Sequence, residues 1–176
     1  SILILNKKTY NTLVLNGLSR VRKSEAILQE SDLEKLPDVV AKYIRFTGAV
    51  GRPLTSHFFV KTNGKIRGNP QDPWMELISE QYNFMDRYER FFYIKAIKSG
   101  IPAFGLHSYK GGEATMKIKL LGLFTLVNAK GPEMNQSETV TLLNDMCLLA
   151  PGTLINPDIQ WEIIDNLSVI DRFNGP

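Results

Sequence analysis

The chain has 176 residues, 43% of them hydrophobic and 22% charged, with 21 Lys and Arg against 18 Asp and Glu for a net charge of +3. That balance suits one globular domain (residues 1–176) with a sizeable core and excludes a disordered chain. It also excludes a dedicated nucleic-acid binder, whose footprint is a clustered basic face, and no apolar run approaches the ~20 residues that cross a bilayer.

The chain opens Ser1-Ile2-Leu3-Ile4-Leu5, which reads either as the stub of a membrane anchor or as a first strand or leader. Residues 6–29 are expected to be helical, capped by Asn6, with Tyr10, Val14, Leu18 and Val21 on one face. Gly17 weakens that helix by about 1 kcal/mol relative to alanine. The basic run Arg20-Val21-Arg22-Lys23 reads as a solvated helix end, or alternatively as a contact with anionic lipid headgroups. Ser31 and Glu34 have capping-box spacing. Pro37 and Asp38 suit a first helical turn, so a helix is placed at 37–47, with Leu36, Val40, Tyr43 and Ile44 on one stripe and Gly48 ending it.

From Arg52 to Val127 the period becomes two. Asn63-Gly64 is a tight turn or a bulge. Strands are expected at 74–82, 90–98, 101–109 and 113–121, with turns at Ser99-Gly100 and Lys110-Gly111-Gly112. Such short connections imply an antiparallel sheet. Several strands, notably 91–97, carry large apolar groups on both faces, so both faces are expected to be covered, one by helices and one by a second layer or a ligand cavity. Asn135 and Glu138 then cap a helix at 136–149, whose apolar face holds Val140, Leu143, Met146 and Cys147. Pro151 ends it, and a last strand at 159–165 carries Trp161.

Particular residues also resemble a known group. These are Leu36-Pro37 with Tyr43-Ile44-Arg45, Gly48 and Gly51; Trp74 and Gln81 on one strand; Phe92 and Ala96 on the next; and Glu138-Thr139-Val140-Thr141 with Asn144-Asp145-Met146-Cys147, Ala150-Pro151 and Trp161. Over about residues 33–165 the chain is similar to an uncharacterised bacterial family of domains of unknown function, whose members often sit behind transmembrane segments. The resemblance implies no activity, ligand or catalytic residue. Its members continue past the tryptophan strand with further strands, so either a sheet that ends short of closure or a fragment of a larger sheet is expected here. The anchor-like start and the resemblance together place the protein tethered to a membrane or outside the cytoplasm.

The expected fold is α+β: a curved antiparallel sheet, a half-barrel-like meander, with N-terminal helices and one helix inserted before the last strand. By architecture alone this is similar to bacterial carrier domains that hold acyl chains between a bent sheet and a helical plug. His57 and His107 lie on strands without metal-ligand spacing, so no metal or other cofactor is expected. The lone cysteine, Cys147, reads as an inert core thiol, although a hydrolase using Cys147 or Asp145 with either histidine remains a rival. The leading expectation is a non-enzymatic site for a lipid or other apolar small molecule, lined by Trp74, Phe92, Ile94, Met116 and Trp161, with Asn144 and Asp145 at its polar end. The alternative is an interaction module that pairs through an open sheet edge, including as a homodimer.

Overall fold

A computed structural model describes residues 5–22 and 25–173 of the protein. Residues 2–4, part of the anchor-like start, and Lys23 of the basic run lie outside that range. The framework is one six-stranded antiparallel meander: β1 (His57–Ile66), β2 (Met75–Phe84), β3 (Glu89–Lys98), β4 (Ile101–Lys110), β5 (Glu113–Leu120) and β6 (Phe124–Lys130), paired in chain order and not closed into a barrel. The connections are short because their backbones suit hairpins. Ser99 and Gly100 both take positive φ (50° and 79°), as do Gly111 and Gly112 (59° and 74°), the geometry that matches the twist of flanking strands. Asn63 and Gly64 form neither turn nor break. They pair with Ile78 and Leu77 inside β1, because the chain does not reverse until the Arg67–Pro73 loop.

The helices are α1 (Leu5–Leu18), α2 (Asp38–Phe46) and α3 (Pro132–Leu149). None of the described helices is long and apolar enough to cross a membrane. α1 ends well before residue 29. Beyond Gly17 the chain tightens into turns, Arg20 N–H to Gly17 O and Val21 N–H to Leu18 O. The Arg87 guanidinium donates to the Gly17 and Arg20 carbonyls (3.2 and 3.4 Å), supplying partners that further helix would have supplied. Arg20 is not a solvated end either, since it forks onto buried Glu89 at 3.0 and 2.7 Å. At 30–33 a single 3-10 turn forms, with Asp32 rather than Glu34 accepting from the backbone N–H of Gln29.

α3 starts earlier than its sequence suggests. Gly131 precedes it and Pro132 occupies the first turn, where a missing N–H costs nothing. Asn135 is therefore inside the helix and does not cap it. After α3 and a 3-10 turn at Pro151–Ile155, a hairpin of β7 (Ile159–Ile163) and β8 (Val169–Phe173) forms its own two-stranded sheet. β8 was not anticipated.

Two cores result. α1 lays Tyr10 and Val14 on Phe84, Phe91 and Leu106 of one sheet face. On the other side, α2, α3 and the 3-10 turns gather Leu28, Leu33, Val40, Ile44, Leu142, Met146 and Leu154 against Tyr109 and Ala114.

Gly17 shows how closely α1 sits. A Cβ there would meet the Phe84 ring at 2.4 Å, and Phe84 is fully buried. Gly17→Ala therefore sets a helix-propensity gain of about 1 kcal/mol against overpacking of about 1–3 kcal/mol. The expected outcome in urea titration is a net loss of stability; a gain near the propensity value would show that α1 does not seat on Phe84.

Candidate functional site

The strand registers sort one sheet face into four rows of facing residues. The first is Phe58, Asn83, Arg90, Tyr109 and Ala114; the second is Val60, Gln81, Phe92, His107, Met116 and Ala129. The third is Thr62, Ser79, Ile94, Gly105, Ile118 and Val127, and the fourth is Gly64, Leu77, Ala96, Ala103, Leu120 and Phe124. α3 crosses the first two rows. The last two have no element over them among the described residues.

α3 is seated by polar ties. Asn135 Oδ1 accepts from the Ala114 N–H at 2.8 Å, and Thr139 Oγ1 meets the Tyr109 hydroxyl at 2.8 Å. The Arg90 guanidinium donates through Nη1 to Glu138 Oε2 (3.0 Å), through Nε to Asp145 Oδ2 (2.9 Å) and through Nη2 to Gln81 Oε1 (3.1 Å). Asp145 Oδ2 also accepts from Gln81 Nε2 (2.7 Å) and Asn83 Nδ2 (3.1 Å). Asn83, Arg90, Gln81 and Glu138 are all buried. A desolvated guanidinium survives only with such a full set of partners. Helical spacing accounts for the stripe: positions 135, 138, 142 and 145 return to one side of α3.

His107 is where this network reaches the surface. Its Nδ1 lies 3.2 Å from Glu138 Oε1, its ring meets Phe92 edge-on at 5.8 Å, and its side chain is 22% exposed against 7% for Glu138. Burial alone would raise the pKa of Glu138. The His107 hydrogen bond and the Arg90 charge outweigh it, so this carboxyl is held below its ordinary 4.5.

Beyond His107 the face turns apolar and carries no charged residue in its third and fourth rows. Val60, Leu77, Ile94, Ala96, Ile118 and Leu120 are each half-buried. Ile94 lies over Gly105, where a Cβ would meet its Cγ2 at 2.6 Å. The opposite face of the same strand ends is polar, with Lys61, Lys65, Glu76, Glu80, Lys95, Lys117 and Lys119. The expectation that each face is sheltered therefore holds only for the near half of the sheet. On the α3 side the far half is greasy and has no element over it among the described residues, while on the other side α1 reaches as far as buried Phe104, whose carbonyl accepts from Asn6 at 3.3 Å, and charged residues flank it.

Of the residues anticipated as pocket lining, Phe92, Ile94 and Met116 share this face and Asp145 belongs to its polar border. Asn144 faces solvent, one residue and about 100° around the helix from Asp145. Trp74 is 57% exposed beneath the Arg67 guanidinium. Trp161 sits on β7 against the α2–α3 core, its Nε1 buried without a partner. Cys147 lies by Tyr43, whose hydroxyl donates to the Cys147 carbonyl at 2.6 Å; burial, with help from Asp171, pushes its thiol above the ordinary range. His57 is on the other face, stacked on Tyr82 and Phe84. Asn83 and Arg90 were not anticipated, and Gln81 entered only through the family resemblance; the available signal was the run of polar residues two apart, Ser79, Gln81 and Asn83, on β2. Hollows lie elsewhere, among them one of ≈ 530 Å³ beside Tyr109, Asn135, Thr139 and Phe173, one of ≈ 520 Å³ lined by Leu54, Met85, Ile155 and Pro157 with Arg22 and Asp86, and one of ≈ 620 Å³ between Arg20, Arg22, Asp86 and Arg87.

Removing Arg90 strands two carboxylates. Arg90→Met is expected to cost about 3–5 kcal/mol at neutral pH, read by urea denaturation. The acid limb follows from Glu138. Its folded pKa lies below its unfolded one, so its contribution is fully present above the ordinary carboxylate range and is lost as pH falls through the folded value. Glu138→Gln should lower stability at pH 7 and flatten its decline on acidification. A variant with the wild-type acid slope would remove Glu138 from that account.

Residues 26–174 match a family of unknown function (DUF6544). No curated protein and no solved structure shows a significant match to the chain. The resemblance seen in the sequence is thus shown over most of the chain, which belongs to that family of unknown function.

Proposed function

We propose that the protein is a non-enzymatic binder of a hydrophobic small molecule, held on the uncharged far half of the α3 face. One observation carries this reading: rows three and four hold no charged side chain, while the opposite face of the same strands holds seven (Lys61, Lys65, Glu76, Glu80, Lys95, Lys117 and Lys119). Had both faces only to meet water, nothing would separate them. Covering the greasy side gains about 25 cal/mol per Å² of apolar surface. A ligand on this open trough is exchangeable, since one side of it still meets solvent.

The hydrolase reading finds less support. His107 leans on Glu138 and not on a hydroxyl or thiol, and Cys147 is on another side of α3 with its thiolate disfavoured. Pairing through an edge has its own motive. On β6 and the turn before it, Leu123 (55%), Phe124 (63%) and Leu126 (58%) are exposed, and no strand among the described residues pairs with the outer edge, which invites an added strand.

Native mass spectrometry of gently purified protein should reveal a co-purifying apolar mass, and a lipophilic dye should bind with saturation. Ile94→Asp or Ile118→Asp, at half-exposed positions, should abolish dye binding and leave the circular dichroism spectrum unchanged. Saturable binding by both variants would remove the trough as the site. For the edge reading, light scattering should show a concentration-dependent dimer that Leu126→Lys disperses.

A further inference from the structure

Resting on that reading, we infer that the trough selects an uncharged amphiphile with a hydroxyl head, of the long-chain alcohol or monoacylglycerol class, taken as a single molecule from solution, and that His107 is the head-positioning residue. Row two is where the apolar rows meet the buried network, and His107 is its member with an accessible face. Nδ1 lies 3.2 Å from the Glu138 carboxylate, which as a pure acceptor fixes the proton on that nitrogen. Nε2 is then a lone-pair acceptor on the part of the ring turned from Glu138, and no hydrogen bond engages it. An acceptor at the end of an apolar trough calls for a donor, and a hydroxyl supplies one.

Charge narrows the class further. Among the described residues Arg90 is the cation bonded into this network; it is buried, and its Nε, Nη1 and Nη2 donate in turn to Asp145, Glu138 and Gln81. Two carboxylates stand against that guanidinium. An anionic head would meet a surplus of negative charge, and in this half-dry setting like charges are costly. A fatty-acid carboxylate is therefore disfavoured where a neutral head of the same chain length is accepted. Phe92 and Met116 flank His107 in the row and would pack on the first methylenes.

The test is displacement of a lipophilic dye, 1-N-phenylnaphthylamine, at pH 8 below micelle-forming concentrations. The competitors are 1-monolauroylglycerol and laurate. The expected result is displacement by monolauroylglycerol at concentrations at least tenfold below those of laurate. His107→Asn keeps an amide in the Nδ1 position for Glu138 and removes Nε2. It should weaken monolauroylglycerol about tenfold, change dye affinity and the urea midpoint far less, and narrow the gap to laurate. Equal or tighter binding of laurate, or monolauroylglycerol affinity untouched in His107→Asn, overturns the head assignment alone. If the wild-type protein does not bind dye, or if Ile94→Asp binds it as well, the trough itself is wrong and this inference falls with it.

Discussion

Arg90 is the point on which helix and sheet are keyed together. A guanidinium taken out of water loses far more than one hydrogen bond can return, so it dictates what surrounds it. Glu138 and Asp145 must arrive from α3, and Gln81 from β2, at bonding distance. That requirement sets α3 in one rotation. Rolling the helix by a single residue swings both carboxylates about 100° away and strands the charge. Grease alone would be more forgiving, since Leu142, Leu143 and Met146 could slide over Tyr109 and Ala114 with small losses. Paired in this way, the buried guanidinium favours one rotation of α3 over its neighbours, and in that rotation α3 covers the first two rows and leaves the last two open.

The two-sided apolar strands are reconciled along their length and not across their thickness. A ten-residue strand spans about 33 Å. α3 is tied in turn to β5, β4, β3 and β2 through Asn135, Thr139, Glu138 and Asp145, so it runs across the strands and covers only their near ends. α1 likewise serves Phe84, Phe91 and Leu106. The near end is therefore a sandwich of helix, sheet and helix. At the far end Leu77, Ile94, Ile118 and Leu120 lie uncovered on the α3 side, while on the other side the first turn of α1 reaches only to Phe104. Short helices laid crosswise on long strands cannot do otherwise.

Period and turn chemistry carried much of the fold. The strands from β2 to β5, the placement of α2, the open meander and a helix before the tryptophan strand were all legible, because each is a local pattern. What was not legible is long-range. Arg90 looks like any arginine at a strand start until Glu138, 48 residues on, is brought to it. Asn135 has the credentials of a cap, yet Pro132 opens the helix first and frees Asn135 for the Ala114 amide. The apolar periodicity through Val21 was real, since Val21 packs on the α1 cluster, but it does so from a turn that Arg87 holds. In the site, strand alternation placed Phe92, Ile94 and Met116 on one face. Trp74 and Trp161 were drawn in by chemistry alone, and Asn144 by adjacency to Asp145, which on a helix means a different side.

The choice between a small ligand and an added strand turns on where the far half is hollow. A partner strand binds through the backbone edge of β6 and asks nothing of the middle of the sheet. The middle of rows three and four is nonetheless unusual. Ser79, Gly105, Ala96 and Ala103 are small, and the space over Gly105 is taken by Ile94, whose Cγ2 lies 2.6 Å from where a Cβ on that glycine would sit. Leu77 and Leu120 stand on either side. Small residues in a strand interior weaken it and leave less to pack, so their grouping on one face is costly unless the lowered floor is filled. A slender apolar chain fills such a floor; a strand at the edge leaves it empty. The ligand proposed above would therefore lie with its head toward α3 and its tail toward Leu77 and Leu120.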